Sequence, residues 1–112
     1  MKGLKIKIIG KRWTVQFLSE KKFNKEYGDD CSGITIPDDK LIAFPLKKLN
    51  LETIIHELTH GYLDELCWGN AVCLKRWQQE EMICELLGKH GQTILEQAHK
   101  IVGEYNALKE DK

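Results

Sequence analysis

The stretch from Leu51 to Leu66 restricts the chain more than any other. Its apolar residues, Leu51, Ile54, Ile55, Leu58, Tyr62 and Leu66, recur at helical spacing and not with the alternation of a strand. A helix over these residues is apolar on one side, so it must pack against other elements as part of a core. Residues four apart on a helix lie one above the other on a single face. His56 and His60 therefore point the same way, and Glu57 is turned from them by rather more than a quarter turn.

Two of the chain's four histidines occupy this spacing. Together with Glu57 they form a His-Glu-x-x-His pattern, in which both imidazoles bind one zinc ion and the glutamate is the general base towards metal-bound water. The competing reading is a pair of solvated or core-satisfied histidines on a buried helix.

The 112 residues suffice for one core, so a single domain over 1–112 is expected. Apolar residues make up 42% and charged residues 30%, a globular balance. Seventeen basic and seventeen acidic side chains cancel, leaving no basic excess to recruit nucleic acid. No apolar run approaches the roughly 20 residues that span a bilayer, so no membrane partner is expected. Lysines interrupt the apolar residues of Met1–Ile9, unlike a secretory leader, and a cytoplasmic location follows as the expectation. Cys31, Cys67, Cys73 and Cys84 form no Cys-x-x-Cys pair, and free, mostly buried thiols are expected rather than a zinc knuckle or disulfides.

The rest of the chain predicts an α+β fold: a small N-terminal antiparallel sheet of three or four strands packed on about three helices. Residues 4–9 and 12–18 alternate as a hairpin, with Gly10-Lys11 as its turn. Residues 19–32 read as polar and irregular. Residues 33–36 and 41–44 form a second strand pair around the turn Pro37-Asp38-Asp39-Lys40. Asn50 caps the His56–His60 helix, and Trp68-Gly69 ends it. A second helix runs over about 75–87 and is closed by Gly88. The capping box Thr93–Glu96 opens a third, with Ile94, Leu95, Ala98, Ile101, Val102, Tyr105 and Leu108 as its apolar positions. The last four residues, Lys109–Lys112, are expected to fray.

A catalytic zinc ion takes three protein ligands and keeps one position for water. A histidine six residues beyond His60 is ruled out because Leu66 stands there. Asp64 would draw three ligands from one straight helix and strain a tetrahedral site. Glu81 is the expected third ligand, since it flanks the apolar face of the second helix and a half-buried carboxylate needs a partner. Glu85, one turn on, would accept a hydrogen bond from a liganding imidazole, and Glu80 is the alternative ligand.

Strands, then His56-Glu57-Leu58-x-His60, then a helix bearing Glu81, Cys84 and Leu87 resemble the gluzincin class of zinc metallopeptidases. Within it the chain is similar to the very small phage- or prophage-associated enzymes related to the ImmA/IrrE family, without the extra domains of larger relatives. The resemblance implies a minimal zincin-like fold, a Zn²⁺ ion, a peptide or protein substrate and hydrolysis of an amide bond. Tyr62, His90, His99 and Tyr105 stand open as donors to the oxyanion. The alternative is a non-catalytic binding or adaptor protein of phage or prophage origin with the same zinc site.

Overall fold

The computed structural model describes residues 3–47, 49–66 and 75–110. Strands β1 (Leu4–Ile8) and β2 (Lys11–Leu18) are joined by Ile9-Gly10. Both turn residues have positive φ, 49° and 78°. A two-residue turn of this hand matches the twist of the strands it joins. The turn therefore falls one residue earlier than Gly10-Lys11. Ile6, Ile8, Trp13, Val15 and Phe17 alternate onto one buried face, as the pattern predicts.

Residues 19–32, expected to be irregular, contain helix α1 (Glu20–Tyr27). Ser19 caps it by accepting from the Lys22 N–H at 3.2 Å. Phe23 is fully buried and meets the Tyr27 ring edge-on, so a single aromatic anchor holds this otherwise charged helix.

Strands β3 (Ile34–Ile36) and β4 (Leu41–Pro45) pair antiparallel around a 3₁₀ turn, Pro37–Asp39, as expected. The sheet is nonetheless mixed, in the order β1-β2-β4-β3, because β4 lies parallel to β2. This corrects the all-antiparallel expectation. As an inner strand β4 is apolar along its length: Ile42 and Phe44 join the main core, and Ala43 alternates to the face against which α1 packs.

Helix α2 (Leu51–Glu65) starts where expected, with Asn50 Oδ1 accepting from the Thr53 N–H at 2.9 Å. The proposed stop at Trp68-Gly69 lies outside the described residues, as do Cys67 and Cys73; Cys31 and Cys84 are free thiols, but Cys31 is half-buried and Cys84 exposed, not buried as expected.

Helix α3 (Arg76–Glu110) is one continuous rod, not two helices parted at Gly88. Neither Gly88 nor Gly91 has positive φ. An interior glycine costs only about 1 kcal/mol, and buried Leu86 and Ile94 hold the helix on either side. The core thus sits between one sheet face, the inner side of α2 (Ile54, Leu58, Tyr62) and α3 (Ile94, Ala98, Ile101, Tyr105). Among the described residues there are three α-helices, but they are α1, α2 and α3, not the three foreseen. No helix among the described residues is long and apolar enough to cross a membrane.

Candidate metal centre

Helix α2 is pressed close to the sheet at Gly61, where a Cβ would stand 2.9 Å from Ile8 Cδ1. This close approach fixes the rotation of the helix. Ile54, Leu58 and Tyr62 face the core, while His56 and His60 face out, with the His56 side chain 67% exposed. The two Nε2 atoms stand 3.2 Å apart and the rings meet edge to face. Two nitrogens bound at 2.0–2.1 Å to one tetrahedral zinc ion lie about 3.3 Å apart. The pair therefore fits two positions of one metal, and it also fits a shared N–H···N hydrogen bond.

Glu57 lies between the exposed and core faces of α2 and is the one buried charged residue among the described residues. Its Oε1 accepts from the Thr35 hydroxyl at 2.7 Å; that hydroxyl is also 3.0 Å from the Glu57 main-chain carbonyl. Oε2 is left 3.9 Å from His56 Nε2. Thr35 thus aims the carboxylate so that one oxygen is held and the other faces the imidazoles.

The strand that carries Thr35, β3, is an edge strand beside α2. Two clefts meet there. One, of about 400 Å³, is lined by Ile34, Thr35, Glu57, His60, Leu63 and Asp64 among others; the second, of about 310 Å³, by Cys31, Glu52, His56 and Glu57 among others. Gly33 lines both, and a Cβ there would stand 2.9 Å from the Phe44 ring and 3.0 Å from Glu57 Cγ. Neither Gly33 nor Thr35 was legible as a site residue. Threonine in a short β-branched strand looks like an ordinary strand former, and only the packing of β3 on α2 gives it another role.

The structure does not bring Glu81 to the histidines. Tyr62 donates to Gln97 at 2.8 Å and Tyr105 donates to the Lys47 carbonyl just before α2, so the two helices run antiparallel with Tyr62 and Gln97 at one level. Tyr62 also meets the His90 ring, so Glu81 lies at least nine residues further along the rod, about 14 Å at roughly 1.5 Å per residue, beyond the end of α2 and away from His60. It is exposed there. Glu80 pairs with Arg76 at 3.3 Å and Glu85 with Lys89 at 3.0 Å, both as solvated pairs one turn apart. The physical reason is the uninterrupted helix: a break at Gly88 could have folded this segment back. Among the described residues no group of three or more His, Cys, Asp or Glu is disposed to hold a metal. Asp64, one turn past His60, shares its cleft.

Of the residues considered as oxyanion donors, Tyr62 is buried against the His90 ring, and burial pushes its hydroxyl above the usual tyrosine range although the bond to Gln97 opposes this. Tyr105 is likewise buried, with its hydroxyl on Lys47. His99 is exposed on α3.

No family model matches this chain, and no curated protein or solved structure is significantly similar to it.

Proposed function

We propose that the chain is a cytoplasmic zinc-dependent metallopeptidase acting on a peptide or protein substrate. The observation that carries the reading is the 3.2 Å pair of Nε2 atoms on α2 with the buried Glu57 carboxylate beside it. His56 and His60 would hold the ion, which when bound acidifies a water and polarises the substrate carbonyl. Glu57 takes the proton of the attacking water on Oε2 and returns it to the leaving amine. Thr35 keeps Oε1 occupied, so the carboxylate cannot swing away. The edge of β3, unpaired among the described residues, offers main-chain groups to an extended peptide, which would run across both clefts past His56 and His60. Among the described residues neither Asp64 nor the expected Glu81 completes a three-residue donor set with the histidines; Asp64, which lines the cleft of His60, is the nearer candidate for a third ligand.

The test is zinc stoichiometry and hydrolysis of a mixed peptide library by the native chain and by Glu57→Gln. One bound zinc in each, with cleavage by the native chain alone, supports the reading. The alternative, a binding or adaptor protein, is favoured by the lack of a three-residue donor group among the described residues. It prevails if both chains bind zinc or peptide and neither cuts.

A further inference from the structure

The sheet edge opposite β3 carries a third cleft, of about 460 Å³, lined by Lys5, Ile6, Lys7, Arg12, Gln97 and Lys100. Lys5 and Lys7 project along β1 about 6.8 Å apart at the strand's rise. Arg12 on β2 is paired opposite Lys7, and Lys100 comes from α3. Among the described residues no carboxylate lines this cleft, and none of the four cations has a carboxylate within ion-pair distance. The wall is held in place. Gln97 donates to the Lys7 carbonyl at 2.7 Å and accepts from the buried Tyr62 hydroxyl at 2.8 Å.

Lysines on an edge strand commonly deter sheet-to-sheet pairing, which accounts for Lys5 and Lys7. It does not account for Arg12 on an inner strand, for Lys100 on a helix, or for the concavity. Over the whole chain acidic and basic residues balance, so this gathering of one sign is local. Like charges held together repel one another, and an anion seated among them relieves that repulsion.

We propose that this cleft binds a compact polyphosphate group, such as the phosphate chain of a nucleoside triphosphate or inorganic tripolyphosphate. Four cations match such a group in charge, and the guanidinium fork of Arg12 suits two phosphate oxygens at once. Among the described residues no aromatic side chain lines the cleft for a base to stack on, which favours the phosphates over a single-stranded nucleic acid as what it recognises.

The experiment is calorimetric titration of the full chain with inorganic tripolyphosphate and with ATP at low ionic strength. One saturable site is expected. Affinity should fall at least about tenfold in Arg12→Ser/Lys100→Ser. It should hold in Lys21→Ser/Lys25→Ser, which removes the same number of positive charges from α1. All four side chains are exposed, and an unchanged melting temperature confirms each fold. Equal affinity for the two ligands identifies the phosphate chain alone as the recognised group; tighter ATP adds nucleoside contacts at the same cleft. Absence of saturable binding overturns the proposal. So does an equal loss in Lys21→Ser/Lys25→Ser, which would mean diffuse attraction, or much tighter binding of a short oligonucleotide.

Discussion

The Thr35 hydroxyl, on the edge strand β3, reaches across to the Glu57 carboxylate on α2 and holds one of its oxygens at 2.7 Å. This bond joins the two elements that frame the histidine pair. Thr35→Val keeps the shape of the side chain and removes the donor. The fold should persist with a loss of about 1–3 kcal/mol, since a largely buried carboxylate oxygen is left without its partner. Peptide hydrolysis should fall by about 10- to 100-fold, the usual effect of releasing a residue that orients a metal-site group. Melting curves and single-turnover rates check the two parts separately.

Gly33 should resist enlargement. A methyl there meets the Phe44 ring at 2.9 Å and Glu57 Cγ at 3.0 Å, and both belong to packed elements. Gly33→Ala is expected to cost about 1–3 kcal/mol by overpacking and to displace β3 from α2. A lowered denaturation midpoint with an unchanged denaturant slope would register it.

Glu81→Gln should leave zinc affinity unchanged, whereas His60→Ala should lower it by about 100-fold or more, as expected on losing one of the few ligands of a zinc ion. Asp64→Asn should fall between them. Competition against a chromophoric chelator measures all three, and a loss in Glu81→Gln as large as in His60→Ala would require α3 to bend near Gly88.

The same rod can be tested without metal. Gly88 and Gly91 lack positive φ, and a Cβ at either meets nothing within 4 Å. Each substitution by alanine should therefore stabilise the chain by about 0.4–1 kcal/mol. If Gly88 instead ended a helix in the left-handed conformation, alanine would destabilise it, so the sign of the change in melting temperature decides.

Glu65 gives the chain an acid-sensitive tie. Its Oε2 accepts from Trp13 Nε1 at 2.7 Å and from Lys40 Nζ at 2.8 Å. Burial would raise its pKa, but the bonds from Lys40 and Trp13 outweigh burial and hold the carboxyl below the usual glutamate range. As pH falls, the unfolded chain takes up this proton before the folded one does. The contribution is full above the ordinary glutamate value and is lost as pH drops through the lower folded value. Glu65→Gln should flatten that part of the stability–pH curve, with a loss of about 1–3 kcal/mol at neutral pH.

What could be read in the residues alone was whatever neighbouring positions dictate. Apolar spacing set α2 and the shared face of His56 and His60, Asn50 marked where that helix begins, and alternation set the inward residues of β1 and β2. These features depend on contacts within a few residues, so the local pattern contains them. Tertiary structure decided the rest. Gly88 looked like a stop, yet burial of Leu86 and Ile94 outweighs the modest cost of helical glycine and carries Glu81 away from the histidines. The parallel pairing of β4 with β2, the anchoring of α1 by Phe23 and the bond from Thr35 to Glu57 all join residues far apart in the chain. Their energies arise only when distant surfaces meet, and no periodicity within a segment records which surfaces those are.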